Sequence, residues 1–315
     1  MNIFEVTFVA AVLTATTPVV LAALGGMLCS VSGVFNMALE GQMLWGAFTA
    51  VVFSHLTGDV WLGVLGAVTC TVLYAAILSF SAVSARADPV VIAVGTNLLA
   101  LGLTAFLMRL VFGSGGTYSS PDLRGLPTLA GLGLGEVPLA GPILGPQSPL
   151  VPLTLVLVVA VAWWLSRTRS GLRLNGIGQH QEAAESLGLK VGAYRHAAVL
   201  GAGALCGLAG AQLALGNVTL FSEGMSAGRG WVAVVAVMLG RNRVYGVVAA
   251  CLLFGVAEAY GFRLQGAGLP QQAADAAPYV ITLIALVLVQ LRRRRRRARP
   301  GGLESDTVHA EGAAR

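Results

Sequence analysis

Residues 150–166 read LVPLTLVLVVAVAWWLS. This stretch holds no charged residue and is close to the roughly 20 apolar residues that a helix needs to cross a bilayer. Similar stretches recur, and we predict spans at about 6–30, 36–54, 60–82, 90–112, 150–166, 196–215, 229–240, 244–262 and 276–291. Because 229–240 is short for a straight crossing, we expect a broken or re-entrant helix there. The sequence therefore predicts an all-α, polytopic membrane protein with about eight to ten transmembrane helices.

The composition excludes the other classes of protein. Of the 315 residues, 56% are hydrophobic and 11% are charged, whereas a soluble domain is about 25% charged. Disordered chains are poor in apolar residues, and the 41 glycines show no collagen repeat of three. Cys29, Cys70, Cys206 and Cys251 lie in apolar stretches, so we expect buried thiols rather than disulfides.

The basic residues predict an orientation. The net charge of +6 would also fit a nucleic-acid-binding protein, but Arg292–Arg297 and Arg299 directly follow the last predicted span. Such a cluster is typical of the cytoplasmic end of a span. With this tail inside, Arg109, Arg124, Arg229 and Arg263 fall outside and the other basic residues fall inside. We therefore predict no nucleic-acid partner and expect the tail to contact anionic membrane lipids.

The domain organisation follows from the same pattern. We predict a transmembrane domain over 1–291 and a basic, disordered cytoplasmic tail over 292–315. Within the domain, the stretch 113–149 is rich in Gly and Pro and is predicted to be an irregular outer loop. The stretch 167–195 is polar and helix-compatible and is predicted to be an inner loop.

Polar side chains inside the predicted spans are candidates for the substrate pathway. Ionisable groups at membrane depth are costly and usually face a protein interior or a water-filled cavity. Asn36 and Glu40 are four residues apart and are predicted to share a helix face. The alternative to a pathway role for Glu40 is a position in the first turns of a helix, where the helix dipole favours a negative charge. The predicted pathway residues are Asn36, Glu40, Gln42, Thr96, Asn97, Glu223, Arg229 and Glu258. Interhelical hydrogen bonding is the alternative for Thr96 and Asn97.

Two glycine-containing motifs are interpreted as structural. Residues 224–228 read GMSAG, a formal G-x-S-x-G, but a hydrolase elbow needs a strand-to-helix turn and a nearby histidine. We favour a bend before a broken helix, with Glu223 and Arg229 paired, over an intramembrane enzyme that uses Ser226. Gly203 and Gly207 form a G-x-x-x-G that favours close helix packing.

The inner loop carries the most specific motif. Residues 178–188 read GQHQEAAESLG and contain Glu182, Ala183 and Ala184 followed by Gly188. This pattern resembles the E-A-A-x-x-x-G element of permease subunits of bacterial ABC importers. Four further segments resemble one branch of these permeases, the branched-chain amino acid and simple-sugar superfamily. Within that branch the likeness is closest to the nucleoside and sugar importers. The segments are 36–43 (NMALEGQM), 95–97 (GTN), 223–230 (EGMSAGRG) and 239–242 (LGRN) with Gly246. The resemblance covers about residues 30–291.

The resemblance implies a subunit that works with other polypeptides. Glu182, Ala183, Ala184 and Gly188 would lie on a helix at about 174–190 that docks into a separate ATPase. A second permease subunit, identical or different, and an external substrate-binding lipoprotein would complete the importer in the bacterial plasma membrane. The chain would bind no cofactor or metal, and ATP and Mg²⁺ would be used by the ATPase.

The sequence independently argues against ATP hydrolysis by this chain. A P-loop needs Gly-Lys followed by Ser or Thr, and the single lysine, Lys190, follows Leu189. The main alternative is an ion-coupled secondary transporter of a small polar solute, with Glu40 and Glu258 as proton or cation sites. The polar residues fit a neutral polar solute without separating nucleoside from sugar or amino acid.

Overall fold

The computed structural model describes residues 3–113, 115–121, 123–131 and 144–266. Two π-helical segments, π1 (Phe80–Ser84) and π2 (Gln212–Val218), continue the α-helices that end at Ser79 and Ala211. Two short strands, β1 (Thr117–Tyr118) and β2 (Phe221–Ser222), pair antiparallel. The α-helices are α1 (Ile3–Val31), α2 (Leu39–Thr57), α3 (Val60–Ser79), α4 (Pro89–Phe112), α5 (Leu150–Arg167), α6 (Arg169–Gln179), α7 (Gln181–Ser186), α8 (Val191–Ala211), α9 (Arg229–Gly240) and α10 (Val244–Gly266).

Local sequence signals determine where several helices begin and end. The Asp59 carboxylate accepts a hydrogen bond from the Trp61 N–H at the start of α3. Asp88 likewise caps α4, whose first residue is Pro89, a position where the missing N–H costs nothing. Gly58 and Gly113 end α2 and α4 in the left-handed conformation that favours glycine.

The helices confirm the predicted polytopic all-α class. Six helical segments of the described residues are long and apolar enough to cross a membrane: Val6–Val31, Val60–Ser84, Pro89–Phe112, Leu150–Arg167, Val191–Val218 and Val244–Gly261. The predicted span 36–54 corresponds to α2, and 229–240 is the short helix α9. The predicted span 276–291 and the tail 292–315 lie outside the described residues.

Helix α8 packs closely against α2 and α3 because glycines line its contacts. A side chain at Gly203 or Gly207 would meet the backbone of α3 at Thr71 or Ala67. A side chain at Gly210 would meet the backbone of α2 between Met43 and Ala47. The structural interpretation of the G-x-x-x-G motif is therefore confirmed.

The connections gather at two ends of the bundle. At one end, the β1–β2 pair joins the 113–131 loop to the segment after π2, and the Tyr118 hydroxyl lies 3.1 Å from His55 Nδ1 at the end of α2. At the other end, α6, α7 and π1 meet the loop after α1, where Arg195 Nε donates to the Ser32 carbonyl. Within the stretch 113–149 that was predicted to be an irregular outer loop, the described residues are irregular apart from β1 and the helical residue Leu144.

The chain divides into two compact units, residues 1–259 and residues 260–315. The first holds α1 to α9 and most of α10, and the end of α10 is the described part of the second. All four cysteines are free thiols; Cys29, Cys206 and Cys251 are buried as predicted, whereas Cys70 is only partly buried.

Candidate functional site

The amides near the start of α2 are buried and bonded within the protein. The Asn36 Oδ1 accepts from the Ala38 N–H at 2.8 Å, and its Nδ2 donates to Gln42 Oε1 at 3.5 Å and to Cys29 Sγ at 3.7 Å. Asn36 precedes α2, which begins at Leu39, so the prediction that it shares a helix face with Glu40 was wrong. The side-chain bond to the Ala38 N–H holds the chain outside the helix, as short polar side chains commonly do.

Thr96 and Asn97 attach α4 to its neighbours. The Asn97 Oδ1 accepts from the Gly41 N–H at 2.8 Å, and its Nδ2 donates to the Met37 carbonyl at 2.9 Å. The Tyr74 hydroxyl donates to the Thr96 carbonyl at 2.5 Å. The Asn97 contacts match the interhelical hydrogen bonding that was the alternative to a pathway role, whereas the Thr96 hydroxyl donates to the Ala93 carbonyl within α4.

Glu40 binds the N-terminus of the short helix α9. One carboxylate oxygen accepts from the Gly228 N–H at 2.8 Å, and the other accepts from the N–H groups of Gly230 at 2.7 Å and Trp231 at 3.3 Å. The first N–H groups of a helix have no partner within it, and the helix dipole favours an anion there. Glu40 therefore joins α2 to α9 across 190 positions of sequence.

Arg229 forms an ion pair with Glu258. Its Nη2 lies 2.5 Å from Glu258 Oε1, and its Nη1 donates to the Met225 carbonyl at 3.3 Å. The predicted pair of Glu223 and Arg229 was wrong, because Glu223 instead accepts from the Gly116 N–H at 3.0 Å. The β1–β2 pairing holds Glu223 beside Gly116 and away from the start of α9.

Helix lengths give the distance of this ion pair from the turn at Arg241–Arg243. Helix α9 ends and α10 begins at that turn, and α9 has 12 residues, or about 18 Å of rise. Glu258 lies 14 positions after Val244, or about 21 Å along α10. The pair therefore lies about 20 Å from the turn along both helices, a distance shorter than a hydrocarbon core of about 30 Å.

The ion pair points into the bundle. The exposed face of α10 carries Tyr245 and Leu252, and Glu258 follows Leu252 by six residues, or about 240° around the helix. The side chains of Arg229 and Glu258 are nevertheless 22% and 20% exposed. The exposed fraction of Glu258 therefore lies away from the outer face of α10.

The inner loop forms two helices, not one. The prediction of a single helix at 174–190 was wrong, because α6 ends at Gln179 and α7 spans Gln181–Ser186. His180 between them has an extended backbone, with φ −145° and ψ 89°. Gly188 ends the segment with φ +75°, a conformation that favours glycine. The E-A-A segment is thus a helix of its own.

One face of α7 is buried and the other is exposed. Ala184 packs in a small cluster with Ile177 and Val191, while Glu182 and Ala183 are exposed. A cavity of about 970 Å³ adjoins this exposed face. Its charged and titratable lining residues are Arg86, His180, Glu182, Glu185 and Arg195. Arg86 and the 167–195 loop share this cavity, which agrees with the prediction that both lie on one side of the membrane.

Sequence reasoning missed a second buried polar network. Gln212 Oε1 accepts from the Ser148 hydroxyl at 2.6 Å, and its Nε2 donates to Asn217 Oδ1 at 2.8 Å. Gln147 bonds the Thr14 hydroxyl at 2.9 Å. Gln212 lies within the predicted span 196–215, so its polar side chain was the signal that could have revealed the network.

The geometry around Ser226 gives no support to hydrolase chemistry. Ser226 is buried in the turn before α9, and its carbonyl accepts from the Arg229 N–H. His55 contacts Tyr118, and both ring nitrogens of His196 contact serine hydroxyls of the α3–π1 segment. His180 lies beside α7. No described histidine is therefore bonded to Ser226.

Comparison with known proteins identifies the family. A family model described as the permease component of the branched-chain amino acid transport system matches residues 8–289. The chain belongs to this permease family. The match covers all ten described helices, apart from the first residues of α1, and it includes the half-length helix α9.

Relatives of this permease include nucleoside transporters. The guanosine ABC transporter permease NupQ of Bacillus subtilis is 32% identical over 88% of this chain and 90% of NupQ. The nucleoside ABC transporter permease NupC of Lactococcus lactis is 32% identical over 89% of this chain and 91% of NupC. A second guanosine ABC transporter permease of Bacillus subtilis, NupP, is 24% identical over 90% of this chain and 81% of NupP.

The predicted site residues of the permease fall into separate places. Asn97 joins α4 to α2, the Thr96 carbonyl accepts from Tyr74 of α3, and Asn36 and Gln42 bond each other near the start of α2. Glu223 lies at the β1–β2 end. Around the start of α9 the structure brings together three of the predicted pathway residues: Glu40, Arg229 and Glu258. The predicted coupling residues Glu182, Ala183, Ala184 and Gly188 lie together on and after α7.

Proposed function

We propose that the chain is the membrane-spanning permease subunit of an ATP-driven ABC importer for nucleosides or related sugars. The observation that carries this proposal is the exposure of the coupling segment, residues 182–188. Its short helix α7 presents Glu182 and Ala183 to the solvent beside a cavity of about 970 Å³, as expected of a helix that docks into another protein. Family membership and the relatives named as ABC transporter permeases support the same function.

ATP hydrolysis then belongs to a separate subunit. The single lysine, Lys190, is preceded by Leu189, so this sequence holds no P-loop to cradle phosphates. ATP and Mg²⁺ would bind the partner ATPase, and its closure on ATP would move α6 and α7. An external substrate-binding lipoprotein would deliver the solute to the opposite end, where β1 and β2 lie.

The second permease subunit is proposed to be a different chain. Bacillus subtilis holds two guanosine ABC transporter permeases that resemble this protein, NupQ at 32% identity and NupP at 24%. The unequal identities fit a pair of diverged permeases, of which this chain is the NupQ-like member. Co-purification of two differently tagged copies of this chain would contradict this heteromeric arrangement.

Arg229 and Glu258 are the residues that we propose to face the solute. They lie about 20 Å from the turn at Arg241–Arg243, point into the bundle and keep about one-fifth of their side chains exposed. A carboxylate accepts and a guanidinium donates several hydrogen bonds, which suits the hydroxyl groups of a ribose. Glu40 lies beside them as the residue that holds α9 in place.

Reconstitution tests the function. The chain is co-expressed with the ATPase, the second permease and the lipoprotein of the proposed importer, and uptake of radiolabelled guanosine is measured with and without ATP and with excess ribose. We expect ATP-dependent uptake that Glu182→Lys and Gly188→Trp abolish together with ATPase association. Leu172→Lys, which also introduces a lysine at an exposed position of α6 but outside the cavity, is the control. Uptake that survives ATP depletion and is lost with an ionophore would overturn the proposal in favour of ion coupling.

A further inference from the structure

His196 connects α8 to the inner end of α3. Its Nδ1 lies 2.7 Å from the hydroxyl of Ser79, the last residue of α3, and its Nε2 lies 3.2 Å from the hydroxyl of Ser84, the last residue of π1. The two ring nitrogens therefore bridge the whole π-helical turn. A neutral imidazole offers one donor and one acceptor, and a hydroxyl serves as either, so both bonds form in either tautomer.

The π-helical turn forms part of the cavity beside the coupling segment. Ala82 and Val83 of π1 line the cavity together with Glu182 and Ala183 of α7. π-Helical turns are rare and occur frequently at functional sites. Just after π1, Arg86 adopts φ +53°, an unfavourable conformation for a residue with a side chain.

On its other side, π1 packs against the core. Ala82 and Val83 contact a buried cluster formed by Cys29, Val34, Ala38, Leu78, Ala93, Val199 and Ala202. Within this cluster, Cys29 Sγ accepts from the Asn36 amide. Close-packed side chains therefore extend from the cavity to the amides at the start of α2, and such interiors are dense enough to transmit displacement.

The first turns of α8 hold the cavity at a second point. Arg195, the residue before His196, donates from Nε to the Ser32 carbonyl in the loop after α1. Arg195 also lines the cavity. Adjacent residues of α8 thus attach π1 and the α1–α2 loop to one helix.

We propose that His196 is a positioning residue that couples movement of α6 and α7 to α3 and α8 by holding π1 against α8. The proposal rests on the proposed function, because it requires an ATPase that moves α6 and α7. Without the imidazole bridge, π1 would yield to the docked ATPase and the displacement would not reach the bundle. ATP would then be hydrolysed without solute movement.

The test is the number of ATP molecules hydrolysed per guanosine transported by the complete importer in liposomes. For His196→Ala we expect unchanged ATPase association and a ratio raised at least about twofold. His196→Gln retains a donor and an acceptor and should restore most of the coupling. The double variant Ser79→Ala with Ser84→Ala keeps the imidazole but removes both hydroxyls. It should raise the ratio of ATP to guanosine as His196→Ala does, so it provides the same test if His196→Ala is poorly produced. His55→Ala, which removes a hydroxyl-bonded histidine at the other end of the bundle, is the control.

The outcomes separate this inference from the proposed function. ATP-dependent uptake with unchanged ratios in His196→Ala and in the double serine variant would overturn the role of His196 alone. An equal rise of the ratio in His196→Ala and His55→Ala would also overturn the role of His196, because a general loss of packing would then explain the rise. Uptake that needs no ATP in the unmodified complex would overturn both.

Discussion

Glu40 stabilises α9 through one carboxylate that accepts three N–H groups, those of Gly228, Gly230 and Trp231. Glu40→Ala leaves these donors without their partner, and loss of a helix cap costs about 1–2 kcal/mol. We expect a lower thermal unfolding temperature for the purified chain in detergent, and a smaller decrease for Glu40→Gln, which keeps an acceptor. Glu223→Ala, which removes an exposed carboxylate bonded to one N–H, is the control. Equal unfolding temperatures for Glu40→Ala and the unmodified chain would contradict this role.

Arg229 and Glu258 form a pair whose members depend on each other. Replacing one leaves an unpaired charge within the bundle, which costs more than replacing both. We expect Arg229→Gln and Glu258→Gln each to lower the yield and the unfolding temperature, and the double variant to recover part of the loss. The expected interaction energy from this double-mutant cycle is about 1–3 kcal/mol. Additive losses would show that the pair contributes nothing as a pair.

The second expectation for this pair concerns transport. If Arg229 and Glu258 face the solute, guanosine uptake by the double variant should stay well below that of the unmodified importer at equal protein level. Uptake that recovers together with stability would restrict the pair to a structural role. The measurement is the initial uptake rate normalised to the amount of permease in the membrane.

Helix α8 contains one glycine that is crowded by a neighbouring helix and another that has space for a side chain. A side chain at Gly207 would meet the α3 backbone at Ala67 and Val68, whereas the nearest atom to a side chain at Gly201 is the end of the Leu28 side chain at 3.9 Å. We expect Gly207→Ala to cost about 1–3 kcal/mol through overpacking. Gly201→Ala should gain up to about 1 kcal/mol from helix propensity. Thermal unfolding in detergent measures both changes in stability. A higher unfolding temperature for both variants would refute the close packing of α8 on α3.

The elements also show what the sequence reveals and what it does not. Hydropathy is a local property, so the apolar stretches 60–82 and 90–112 correspond closely to Val60–Ser84 and Pro89–Phe112. By contrast, the charged side chains bind partners that are distant in the sequence. Glu40 lies 190 positions from Gly230, and Arg229 lies 29 positions from Glu258, so residue spacing favoured the nearer Glu223 instead. The break at His180 accompanies the packing of Ala184 with Ile177 and Val191, a contact between α6, α7 and α8 that helical periodicity does not reveal.

The whole molecule has two ends that the basic residues distinguish. Arg86 and Arg195 share the cavity beside α7, and Ser119 lies exposed next to β1 at the other end. Because Lys and Arg concentrate on the cytoplasmic side, the α6–α7 end should face the cytoplasm. We expect Ser119→Cys to react with a membrane-impermeant maleimide in intact cells, and Asn175→Cys, exposed on α6, to react only after permeabilisation. The four native cysteines, three of them buried, are replaced by alanine beforehand. The reverse labelling pattern would invert the orientation and place the proposed coupling segment on the wrong side for an ATPase.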